Sequence, residues 1–216
     1  MLNHLIRFVR HLKSDTSGLA LIEFAYTLPI FLGFGLVGIE FTNVVLAQQK
    51  SERVASTLAD QIASNQLPPS EEQIKDMFIA VAQISKPFEF APEGNAILTA
   101  VIGVYDAEDD EIQNKVAWQR CIAKDSFESN IGDEWTATND ISEGPEVTLP
   151  NSLKLSQNQM VIVSEVFFPY KEIVSAKLVE GMLPNNGIFR QTSTFRTRGP
   201  ALLDVTPVPS IAKHEC

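Results

Sequence analysis

A chain of 216 residues, 44% hydrophobic and 20% charged, has ordinary globular composition, which excludes collagen-like repeats, a many-span membrane protein and a wholly disordered chain. It is long enough for one domain of roughly 100–200 residues plus an appendage. The net charge of −10 is uneven: Arg7, Arg10 and Lys13 face only Asp15 in residues 1–18, leaving 14 basic and 26 acidic residues beyond them. A body that acidic repels phosphate backbones and argues against nucleic acid as a partner.

After the basic leader, residues 19–47 read LALIEFAYTLPIFLGFGLVGIEFTNVVLA. Crossing about 30 Å of hydrocarbon takes about 20 mostly apolar helical residues, so this stretch suffices. Glu23 and Glu40 interrupt it, 17 positions apart. At the helical rise that is about 25 Å, which places one carboxylate near each face of a bilayer. A helix packed on a soluble core keeps a polar stripe, whereas only Tyr26 and Thr27 break the apolar and glycine residues of 24–39. Val45-Leu46-Ala47 has the small-residue look of a signal cleavage site, but signal apolar regions run about 7–15 residues and this one is longer. The basic residues precede the span, which predicts a cytoplasmic N-terminus and an extracytoplasmic domain after about residue 48.

Pro29 lies mid-span, where membrane helices tolerate it with a kink. Gly33, Gly35 and Gly38 spell GxGxxG, but no strand precedes them, so dinucleotide binding is not implied; close helix contact is the better reading.

Helical spacing of Val44, Val54, Leu58 and Ile62 predicts a stalk-like amphipathic continuation over 42–65, stopped by Pro68-Pro69. Ser70 and Gln73 form a capping-box signature for a second helix with Ile74, Met77, Phe78 and Val81 inward, closed by Lys86-Pro87. Strands are predicted at Ala96–Tyr105 and Val116–Ile122, paired as a hairpin across the acidic turn Asp106–Glu111. Residues 124–158 read as a long surface insertion. Met160–Phe168 is the clearest strand, stopped by Pro169; Ile173–Leu183 suggests a short helix, and Gly187–Thr197 a last strand before an irregular tail. The expected fold class is α+β: a long N-terminal transmembrane helix continuing into an amphipathic stalk, packed on a small antiparallel sheet.

Site chemistry is sparse. His4, His11 and His214 are scattered, and no GxSxG, HExxH or P-loop is present. Glu108-Asp109-Asp110-Glu111 lacks the EF-hand pattern and reads as a solvated turn. Trp118 and Trp135 read as core or cover residues. No cofactor or metal is expected. Cys121 and Cys216, 95 positions apart, form an even pair that permits a disulfide outside the cytoplasm.

The basic leader, Gly18, and Glu23 five residues on at the start of an apolar helix resemble the class III signal of type IV pilins. The longer string Glu23-Phe24-Ala25-Tyr26-Thr27-Leu28-Pro29, with Gly38-Ile39-Glu40-Phe41 after it, resembles the TadE-like pseudopilins, minor assembly proteins of Flp/Tad (type IVb) pili. The likeness covers residues 17–60 well and the rest loosely. It implies three parts: a cytoplasmic leader over 1–18, a transmembrane helix over 19–47 and an extracytoplasmic α+β domain over 48–216. It also implies cleavage by a prepilin peptidase between Gly18 and Leu19, and pairing of Glu23 with the new terminal amine of a neighbouring subunit. The implied partners are other pilin or pseudopilin subunits, the Tad inner-membrane machinery and membrane lipid, in a bacterial inner membrane. Major Flp pilins are short and carry Tyr directly after the Glu; here Phe24 follows and Tyr26 comes later, which favours a minor, non-enzymatic pseudopilin. The alternatives are an uncleaved membrane-tethered binding or scaffold protein unrelated to pili, and a tethered periplasmic enzyme.

Overall fold

The computed structural model describes residues 18–90, 93–107, 109–123, 127–138, 140–173 and 187–216. The expected leader before Gly18, and all but the first residue of the short helix expected at Ile173–Leu183, lie outside these residues. The described residues fall into two compact units, one holding 18–43 with 172–173, the other 44–171 with 187–216.

In the first unit, helix α1 (Leu19–Ala63) begins directly after Gly18, whose carbonyl accepts from the Ile22 amide at 3.1 Å. Residues 19–36 are all exposed. Apolar side chains cover the whole circumference, as Leu21, Tyr26, Phe31 and Phe34 each stand more than 70% exposed. Pro29 sits inside the helix without ending it. Glu40 is fully buried and accepts from the Ile173 amide at 3.1 Å. A buried carboxylate is costly unless hydrogen-bonded, and the main chain after β3 supplies that bond.

In the second unit, residues 44–63 of α1 are amphipathic as the spacing predicts. Val44, Val54, Leu58 and Ile62 are at most 7% exposed, while Gln48, Glu52 and Gln61 face water. Ala47, Ala55, Ala59 and Ala63, each at 0%, intersperse this face and let the helix approach its neighbours closely. Burying each of the larger side chains contributes about 1.5–3 kcal/mol. Helix α2 (Glu71–Ile84) opens on the expected capping box: the Gln73 amide donates to Ser70 Oγ, and Gln73 Oε1 accepts from the Ser70 amide. Its inward residues are those read from the sequence, with Glu71 added.

The described residues form four strands, β1 (Asn95–Asp106), β2 (Glu111–Cys121), β3 (Met160–Pro169) and β4 (Ile188–Arg196), all antiparallel in the order β2-β1-β3-β4. The register of β1 on β2 slips between Ala100 and Val101: Ala100 faces Trp118, but Val101 faces Val116, so Ala117 is an extra residue in β2. Even-numbered residues of β1 and β3, such as Leu98, Ala100, Ile162 and Phe168, join the helices in the main core. Odd-numbered ones, including Val101, Val161 and Val163, point to the other face.

That other face corrects the reading of 124–158 as a surface insertion. Ile131, Val147, Leu149 and Leu155 are buried there against Val101, Val116, Val161 and Val163. The central strands are apolar on both faces, so something must cover the side away from the helices, and a strandless segment does so. It is pinned by backbone bonds: Val147 N to Asn114 O, and Asn158 N to Gly103 O. Asn114 completes the clamp with bonds to Leu153 O and from the Leu155 amide. At Gly103 a Cβ would lie 2.4 Å from Ser156 O, so only glycine admits this close approach. The tail after β4 is irregular, as expected, yet ordered: Leu202 is fully buried and its carbonyl accepts from Trp118 Nε1 at 2.7 Å.

Candidate functional site

Three groups of residues hold the chemistry. The first is the start of α1. Gly18 is exposed at its N-terminal edge, Leu19 opens the helix at 56% exposure, and Glu23 stands one turn on, exposed and without an ion pair among the described residues. A Cβ at Gly18, Gly33, Gly35 or Gly38 would meet nothing within 4 Å, so these positions leave open helix surface.

The second is the cysteine pair. Cys121 ends β2, buried, in a cluster with Ile97 and Phe167 against which Cys216 packs. The C-terminal tail is drawn there by its main chain. Cys121 N donates to His214 O at 2.8 Å, and Cys121 Sγ to Glu215 O at 3.4 Å. Both residues are free thiols. A hydrogen bond with Cys121, and then burial, pushes the Cys216 thiol far above the ordinary cysteine range, so Cys216 stays protonated at neutral pH. The two cysteines are thus brought together across the sequence. His214, beside them, packs edge-on against Phe78 with centroids 5.4 Å apart.

The third group is one the sequence reading missed. Arg120 on β2 is 3% exposed and donates through Nε to Glu71 Oε1 at 2.9 Å. Its Nη1 donates to Gln119 O at 2.7 Å and to Glu134 Oε2 at 3.1 Å. Glu71 sits at the positive N-terminal end of α2, where the helix dipole favours an acid, but its Oε2 has no hydrogen-bond partner. Glu165 on β3 is also buried, accepting from Ser129 Oγ and from the Asn130 amide. A lone acid within the apolar run of Met160–Phe168 was the available signal for it; nothing local in the sequence joins Arg120 to Glu71.

The acidic turn is internally bonded. Tyr105 Oη donates to Asp110 at 2.6 Å and Gln113 Nε2 to Asp109 at 2.6 Å. Among the described residues no group of three or more His, Cys, Asp or Glu side chains is placed to hold a metal. A cavity of about 820 Å³ beside Cys216 is lined by Glu128, Asp133, Glu134 and Glu215, with Lys213 the one basic residue among the described lining.

Fold and site together define an α+β chain that has, among the described residues, one helix long and apolar enough to cross a membrane, near its N-terminus, and a four-stranded antiparallel sheet. No family model, no curated protein and no solved structure matches the chain.

Proposed function

We propose that this chain is a TadE-like minor pseudopilin: a single-pass protein of a bacterial inner membrane that helps assemble or initiate a type IVb pilus by packing its N-terminal helix against those of other subunits. The single observation that carries the reading is residues 19–36 of α1, exposed on every side. So large an apolar surface in water costs about 25 cal/mol for each Å² and calls for lipid or other helices as its surroundings. Eighteen residues at the helical rise reach about 27 Å, close to the hydrocarbon thickness. Within that length Glu23 stands ready for a cation from outside its own chain, and the terminal amine of a processed neighbour has the right charge and depth. Helix packing and presentation of a folded domain make up the mechanism, which requires no bond chemistry of its own.

Processing tests this reading. Expressed with an active prepilin peptidase, the membrane-extracted protein is expected to have Leu19 as its N-terminal residue by mass spectrometry, and Gly18→Ala to retain the leader. An intact Met1–Gly18 in the unaltered protein would instead point to a permanent tether unrelated to pili. Glu23→Ala is expected to leave membrane insertion unchanged while sharply reducing pili per cell, counted by electron microscopy. Unchanged pilus counts would remove the pairing role.

A further inference from the structure

Strand β4 is an edge strand, and its ladder to β3 fixes which of its groups are spent. Thr197 N donates to Met160 O and Tyr170 N to Gly187 O, at the two ends of a continuous register from Val161↔Arg196 to Pro169↔Ile188. In an antiparallel pair the bonded residues alternate, so Phe189, Gln191, Ser193 and Phe195 turn their amides and carbonyls to β3. Those of Ile188, Arg190, Thr192, Thr194 and Arg196 point away from the sheet, and none has a partner among the described residues. The opposite edge is not open in this way: β2 is bonded by Val147, by Glu134 and by the tail at His214.

Edge strands are normally blunted by proline, bulges or covering segments; β4 has neither proline nor bulge, and among the described residues no segment covers it. A groove of about 590 Å³ runs beside it on the helix side, between Phe195 and the Ser56, Thr57, Gln61 and Ser64 side chains of α1, with the Arg198–Asp60 ion pair (2.6 Å) at one end. On the other side stand Arg190, over the Phe167 ring at 5.3 Å, and Arg196, exposed and without an ion pair among the described residues. Residues 187–203 hold three arginines and no acid, in a chain whose net charge is −10. The acid on that side of β3, Glu165, is buried and already bonded.

We infer that the outer edge of β4 is a docking site for an extended acidic segment of a partner protein, which adds as a fifth strand. Its main chain pairs with the five outward residues, its alternate side chains enter the groove beside Phe195, and acids on its other side meet Arg190 and Arg196. Two copies of β4 laid edge to edge would bring four arginines and no acid onto one face, so a second copy is the poorer occupant. This inference concerns the folded domain and stands whether or not the membrane reading holds.

The test uses the full chain in detergent micelles and a fluorescent nine-residue peptide of alternating Thr and Val with Asp at positions 2 and 8, the same spacing of six that separates Arg190 from Arg196. Binding is read by fluorescence anisotropy. The Asp peptide is expected to bind roughly tenfold more tightly than its Lys counterpart, and the Arg190→Glu/Arg196→Glu protein to invert that preference. Thr192→Pro, which removes only an outward amide, is expected to abolish binding with the near-ultraviolet circular dichroism unchanged. Should that variant misfold, the charge-reversed protein decides alone. Equal binding of the two peptides, no saturable binding of either, or dimerisation that masks the edge would each overturn the inference.

Discussion

Replacing Arg120 with alanine is expected to destabilise the folded domain by about 3–5 kcal/mol, because it removes one partner of a buried ion pair and strands the other. Glu71 is 1% exposed; its Oε1 accepts from Arg120 Nε, and its Oε2 has no hydrogen-bond partner among the described residues. Without the guanidinium the carboxylate stays desolvated next to a helix end that only partly offsets the cost. Arg120→Lys does not rescue it, since a single ammonium cannot reach Glu71, Glu134 and the Gln119 carbonyl together in the geometry of the planar fork. The combined change Arg120→Met/Glu71→Leu is expected to lose much less than Arg120→Ala, since it leaves no buried charge. Urea titration followed by tryptophan fluorescence reads this directly, because Trp118 is 1% exposed on the same strand. A midpoint for Arg120→Ala equal to that of the unaltered protein would mean that the cluster contributes nothing to stability.

The second large effect concerns oxidation. Thiol–disulfide exchange with an oxidised thiol reagent such as glutathione disulfide is expected to join Cys121 to Cys216. The two thiols lose two protons and two electrons, and the reagent disulfide is reduced to two thiols. Closing a loop between positions 95 apart stabilises the domain by about 4.7 kcal/mol in the chain-entropy model. The tail already lies against β2 through the His214 and Glu215 carbonyls, so the approach of the two residues needs no new fold. The raised Cys216 thiol sets the rate: thiolate is the attacking species, so cross-linking is expected to be slow at neutral pH and to accelerate as pH rises. Non-reducing peptide mapping identifies the bond, and the difference in urea midpoint with and without reductant measures its worth. Cys216→Ser is expected to abolish both the cross-link and that difference. An oxidised protein no more stable than the reduced one would refute the stabilising role.

Much of this molecule was legible from local patterns. The capping box at Ser70, the stop at Pro169 and the spacing of Val54, Leu58 and Ile62 each depend on neighbours within one or two helical turns, and each lies where the sequence puts it. The first half of β2 was not legible. Glu111–Lys115 is polar apart from Ile112, and its Asn114 and Lys115 are buried where the 140–155 segment offers Leu153 O and Gly144 O to them and Asp106 lies 3.6 Å from Lys115 Nζ. That same segment looked like a solvated loop because its apolar residues are widely spaced and follow no helical or strand period. Burial of Glu40 depends on a bond to residue 173, and the Arg120–Glu71 pair on strand and helix meeting across 49 positions. Contacts at such separations leave no local trace in a single sequence.

Ala117 carries a consequence for anyone who would edit this hairpin. Because it is one residue too many, β2 consists of two half-strands that alternate out of phase: Trp118 and Arg120 look toward the helices, whereas Val116 and Asn114 look toward the opposite cover. Trimming or lengthening the β1–β2 ribbon in matched pairs on either side of that alanine preserves both linings. Excising the alanine itself would rotate one half by a half-turn, driving either the arginine out of its carboxylate nest or the asparagine out of its clamp.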